Sequence, residues 1–140
     1  GTLSPMGHVN PKVWDQLMAV NVTANRRLIR SMHPLLRQSA AGRAIFVAST
    51  VGAEARAYWA AYAVSKAALE MMTRTYAAEM ETTSVRANLI NPGATRTGMR
   101  AQAMPGEDAA SVKPPEDVTE TFVQLAESTC DLNGAIVDCR

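Results

Sequence analysis

In the run Ala61-Tyr62-Ala63-Val64-Ser65-Lys66 a tyrosine and a lysine stand four positions apart, and Ser49 precedes the tyrosine by 13 residues. On a helix, residues at that spacing leave nearly the same face, about 6 Å apart along the axis. An ammonium so close favours the phenolate of its neighbour, which lets a phenol with a reference pKa of about 10 both give and take a proton at a useful rate. A serine hydroxyl bonded to the same oxygen would complete a site for moving a proton where charge develops on oxygen. Interconversion of a carbonyl and an alcohol makes that demand, with the hydride drawn from a cofactor. The chain holds three Tyr and only three lysines, Lys12, Lys66 and Lys113, so the pair with a serine at a fixed offset is not an ordinary decoration of a helix.

Other chemistry for these residue types fits less well. Nucleophilic Ser-Lys catalysis would need the hydroxyl and amine to converge, whereas Ser65 and Lys66 are neighbours on a helix and Ser49 lacks a Gly-x-Ser-x-Gly elbow. Cys130 and Cys139 form no Cys-x-x-Cys pair and have no histidine near them, and His8 and His33 are isolated from other ligands, so no metal site is expected. A formal charge of +1 with both signs interspersed implies no field that would hold nucleic acid or an anionic membrane. No apolar run approaches a membrane span and no secretory signal is visible, which makes a cytoplasmic setting the expectation.

The elements that must position these groups are legible in outline. Asn10-Pro11 reads as an N-cap and first helical position, followed by Val13, Leu17, Val20, Ala24, Leu28 and Met32 at helical spacing, with Pro34 expected to kink or end the helix. Ala44–Ala48 is a short apolar run suited to a strand buried on both faces and ending at Ser49. Trp59 to about Met80, free of Gly and Pro, predicts a second long helix with Tyr62 and Lys66 on its first turns. Val85–Ile90 predicts a second buried strand closed by Asn91-Pro92-Gly93. The stretch from Thr95 to Lys113 has no clear period and reads as a flap or loop. Pro114-Pro115-Glu116-Asp117 opens a third helix with Val118, Phe122 and Leu125 on one face, and 133–138 is a last strand. Helix and strand alternate, so the fold class is α/β with a parallel sheet and right-handed crossovers in one domain. Ligands of such sheets bind at the carboxyl ends of the strands, where Ser49 and Pro92-Gly93 fall.

These residues together resemble the short-chain dehydrogenase/reductase family. Ser49-Thr50-Val51-Gly52 resembles its catalytic-serine segment, Tyr62 to Lys66 its Tyr-x-x-x-Lys, and Asn21 in Val20-Asn21-Val22 its helix asparagine. Asn91-Pro92-Gly93-Ala94-Thr95-Arg96-Thr97 resembles the segment that closes over the nicotinamide and pyrophosphate, and 132–138 the terminal strand. The resemblance implies a Rossmann-type doubly wound sheet and NAD or NADP as cofactor. It further implies Tyr62 as acid/base, Lys66 as the group that stabilises the phenolate and binds the nicotinamide ribose, and Ser49 as the group that orients the carbonyl. Asn21 would hold a water that relays protons to Lys66, and Pro92, Gly93, Ala94, Thr95 and Thr97 would bind cofactor. Without the family, Asn21 reads as a local kink or a buried-water site in a helix.

A glycine-rich phosphate turn of the Gly-x-x-x-Gly-x-Gly kind is absent from these 140 residues, and Gly1 resembles the last glycine of the family's Asn-Ala-Gly segment. The resemblance therefore implies the C-terminal portion of a longer, NAD(P)-dependent oxidoreductase, acting on a small carbonyl or alcohol and assembling as a homodimer or homotetramer. The isolated piece would expose a sheet edge and bind dinucleotide poorly. Enoyl reduction or epimerisation on the same scaffold, and a degenerate module that binds or assembles without catalysis, are the alternatives. Substrate contacts are expected from 53–59 and from a flap at 98–112 in which Met99 and Met104 hint at an apolar lining.

Overall fold

A computed structural model describes residues 3–139, so the reading of Gly1 lies outside the described residues. Its centre is a parallel sheet of β1 (Arg43–Val47), β2 (Arg86–Asn91) and β3 (Ile136–Asp138), in that spatial order. Arg43 pairs with Arg86 and Val47 with Ile90, while Leu89 pairs with Ile136 and Asn91 with Asp138. The helix α4 (Ala60–Glu79) makes the crossover from β1 to β2 and α6 (Thr119–Ala126) that from β2 to β3, as the alternation requires.

Alternation along β2 separates two cores. Ala87 and Leu89 join Phe46, Leu69, Tyr76 and Met80 on the α4 side. Ile90 joins Val118, Leu125 and Cys139 on the α6 side. Residues 87–90 are at most 1% exposed, so β2 is buried on both faces as expected. The strand β1 is not: Val47 is 41% exposed, because among the described residues β1 pairs with β2 alone and is an edge.

The first helix is long but less regular than its sequence period suggests. It runs as α1 (Pro11–Met18), a π turn (Ala19–Thr23) and α2 (Ala24–Gln38), with the Asn10 side chain accepting from the Lys12 N–H at 2.9 Å. Val20, Leu28 and Met32 are exposed, and the row that turns inward is Val13, Leu17, Asn21, Asn25, Ile29, His33 and Leu36. A strict four-residue repeat drifts around an α-helix, and the wide π turn absorbs that drift. Pro34 neither ends nor interrupts the helix, which continues to Gln38. Its fixed φ is helical and it forfeits one N–H bond close to the helix end. His33 is a packing residue: its Nδ1 and the Tyr76 hydroxyl are paired at 3.0 Å, joining α2 to α4.

The segment 95–113 is not a structureless flap. It contains α5 (Gly98–Ala103), capped by the Thr97 hydroxyl accepting from the Arg100 N–H at 3.2 Å, and its ends are joined by a Thr95–Lys113 bridge. The Arg100 guanidinium donates to Glu107 at 2.7 Å, closing the far end of the flap. Their mutual hydrogen bond holds the Arg100 pKa above its ordinary value and that of Glu107 below, against a smaller opposing effect of burial on each. Pro115–Val118 forms a 3-10 turn leading into α6, and β3 begins only at Ile136. Before it, side chains supplement the backbone bonds from the Gly134 N–H to the Ala87 carbonyl and from the Leu89 N–H to the Ala135 carbonyl: Oδ1 of Asn133 accepts from the Ala87 N–H and Oδ1 of Asn88 from the Ala135 N–H, both at 3.0 Å.

Candidate active site

The short helix α3 (Thr50–Ala53) begins where β1 leaves the sheet, with Ser49 in extended conformation as its cap. Gly52 lets α3 rest directly on α4, since a Cβ there would lie 3.2 Å from the backbone carbonyl carbon of Lys66. Ser49 is thereby brought beside the first turns of α4, which carry Tyr62 and Lys66. At the end of β2, the Asn91 amide donates to Thr50 Oγ1 at 3.1 Å and to Asp138 Oδ1 at 2.7 Å, tying the ends of all three strands. The same Asn91 accepts from the Gly93 N–H at 3.3 Å and fixes the turn that follows.

Ser49, Tyr62, Lys66, Pro92, Gly93, Ala94, Thr95 and Thr97 all line one cavity of about 740 Å³ at the carboxyl ends of the strands. Lys66 is only 8% exposed, and its Nζ donates to the Val47 carbonyl at 2.7 Å. That nitrogen lies 5.6 Å from the centre of the Tyr62 ring. Burial lowers the Lys66 pKa from its ordinary value, the effect of removing an ammonium from water.

Asn21 does not line the cavity. Its side-chain amide donates to Ser65 Oγ at 2.9 Å, and Ser65, fully buried, donates to the Tyr62 carbonyl at 2.8 Å. The π turn around Asn21 is the local irregularity its residue type suggested, and Asn25 Nδ2 takes up the carbonyl of Asn21 at 2.9 Å and that of Val20 at 3.3 Å. Ser65, Asn91 and Thr50 are site-building residues that spacing did not reveal. Each lies inside a segment singled out from sequence, Thr50 after Ser49, Ser65 before Lys66 and Asn91 before Pro92, but none is predicted there as a site residue.

The residues present fit the nicotinamide end of a dinucleotide. Gly93 has φ +65° and open space where a Cβ would stand, with no atom nearer than 4.0 Å, so a ligand can approach the backbone closely. The Thr97 hydroxyl accepts its cap bond and keeps its hydrogen to donate. Lys66 has two N–H groups beyond the one held by Val47. Among the described residues there is no cluster of three or more potential metal ligands, and no helix is long and apolar enough to cross a membrane.

A profile of the short chain dehydrogenases matches residues 1–108, and the chain belongs to that family. It is 45% identical over 125 residues to the oxidoreductase YciK of Escherichia coli K12, covering 89% of this chain and 49% of YciK. A short chain dehydrogenase from Salmonella enterica serovar Typhi superposes with a TM-score of 0.94 at 40% identity, covering 99% of this chain and 57% of that one. A short chain dehydrogenase from Escherichia coli CFT073, solved in complex with NADPH, gives 0.93 at 40% identity, covering 99% and 57%. The chain thus spans about half the length of the relatives it matches. The α/β fold and the family expected from the sequence both hold.

Proposed function

We propose that the intact gene product is an NAD(P)-dependent oxidoreductase that interconverts a small carbonyl compound and its secondary alcohol. The observation that carries this reading is the convergence of Ser49, Tyr62 and Lys66 with the Pro92–Thr97 turn on one cavity. NAD(P)H, when bound, supplies the hydride that reaches the carbonyl carbon. Tyr62 gives its phenolic proton to the carbonyl oxygen, and in the reverse direction takes the alcohol proton back. The Lys66 ammonium, held by the Val47 carbonyl, favours the phenolate left behind and offers its remaining N–H groups to the nicotinamide ribose. Ser49 donates a hydrogen bond to the same oxygen and orients it. Asn21, anchored on Ser65 beside Lys66, is assigned a relaying water, and Pro92, Gly93, Ala94, Thr95 and Thr97 bind the cofactor.

The same reading includes a cytoplasmic setting, in keeping with Cys130 and Cys139 as free thiols, and a homodimer or homotetramer. Its test is the intact gene product assayed with NADH and NADPH on a panel of ketones and aldehydes. Tyr62→Phe is expected to lower kcat by about 10²–10⁴-fold with cofactor binding retained. No turnover by the unaltered protein, or full turnover by Tyr62→Phe, would sink the reading.

A further inference from the structure

Tyr58 is the one non-glycine residue with positive φ among the described residues, at +71°. A bulky side chain is costly in that region, and glycine would adopt it freely. The conformation is held from outside: the Ser4 N–H donates to the Tyr58 carbonyl at 2.8 Å, and Ser4 bridges to Trp59. The ring does not compensate by filling a core, for Tyr58 is 61% exposed. It lines the cavity that also holds Tyr62 and Lys66. Strain held in place at a residue that lines the cavity points to a ligand rather than to folding.

The cavity is also unusually aromatic for this chain. Of its two Trp, three Tyr and two Phe, Tyr58, Trp59, Tyr62 and Phe122 all line this one space. Trp59 is adjacent to Tyr58, and its ring lies 5.8 Å from that of Tyr62, tilted by 53°. Trp59 and the phenol that would meet the carbonyl thus form an aromatic pair on the wall of a cavity that Tyr58 and Phe122 also line.

We propose that Tyr58 and Trp59 form an aromatic platform that selects carbonyl substrates bearing a planar aromatic group beside the reacting carbonyl. The proposal rests on the carbonyl-site reading above and names its substrate class. A flat π-face can meet these rings in offset or edge-to-face geometry, whereas a saturated ring of the same size offers similar apolar area without that geometry.

The matched pair acetophenone and cyclohexyl methyl ketone separates the two cases. Each is titrated calorimetrically into the intact gene product saturated with oxidised cofactor, so that binding is read without turnover. Acetophenone is expected to bind roughly three- to tenfold tighter. Tyr58→Phe keeps that ratio. Tyr58→Gly, which suits the left-handed backbone while deleting the ring, brings it close to one without loss of thermal stability. A ratio near one in the unaltered protein, a ratio unchanged in Tyr58→Gly, or no binding of either ketone overturns the platform. Turnover with reduced cofactor is measured on the same preparations. Turnover with a flat binding ratio overturns the platform and leaves the reaction standing, and an aryl preference in binding without turnover supports the platform and overturns the reaction.

Discussion

Lys66 shows how a single residue trades stability for a place in the site. Its ammonium is buried with one carbonyl partner, so its pKa is lowered by desolvation. The folded value lies below the unfolded one, hence the folded state binds fewer protons as pH rises between the two. The destabilisation is fully present below the folded pKa and fades as pH climbs toward the ordinary value of 10.5. Unfolding free energy from urea titrations should therefore rise with pH on the alkaline side. Lys66→Met is expected to flatten that rise, to stabilise the protein at neutral pH by about 0.5–2 kcal/mol, and to abolish activity. A Met variant with an unchanged alkaline slope would show that the slope comes from other groups. The four-residue spacing to Tyr62 was readable from sequence because a helix turns spacing into adjacency. The Val47 carbonyl that holds Lys66 was not, because it comes from a strand 19 residues away.

At the level of elements, the site depends on α3 lying against α4 and on the strand ends being tied together. Gly52→Ala would place a methyl group 3.2 Å from Lys66 backbone and Cβ atoms, so one helix must shift by a few tenths of an ångström. Such a shift moves Ser49 relative to Tyr62, and kcat of the intact gene product is expected to fall about tenfold while the melting temperature changes little. A variant with full kcat would show that Ser49 placement does not depend on this contact. The alternation of helices and strands and the gathering of Ser49 and Pro92-Gly93 at one edge of the sheet were legible, since period and turn residues are local signals. The inward face of the first helix was legible at Val13 and Leu17 but not from the π turn onward. Asn21, Asn25 and His33 turn inward because each finds a partner there or within the helix, while Leu28 and Met32 turn outward. Reading apolar residues as the buried side misses a face built from satisfied polar groups. The strain at Tyr58 was equally hidden, because it is imposed by Ser4, more than fifty residues earlier.

For the whole molecule, the same outward face and the edge of β1 decide how these 140 residues behave by themselves. The outer edge of Arg43–Val47 carries backbone groups that no described strand pairs. Leu28, Met32 and Leu35 form an exposed apolar row on α2, 58%, 45% and 58% accessible, and Val20 extends it into the π turn. Either feature alone could be tolerated, but together they leave two unlike surfaces that gain by meeting another chain. The isolated 140-residue chain is therefore expected to self-associate in a concentration-dependent way over micromolar concentrations, read as a rising weight-average mass in sedimentation equilibrium. Leu28→Glu with Leu35→Glu should remove association through the helix face and leave that through the strand edge, so the mass falls without reaching the monomer. If the unaltered chain stays monomeric up to about 100 µM with a single sharp urea transition, neither surface needs a partner. The proposal of a homo-oligomer would then have to rest on some other part of the intact gene product.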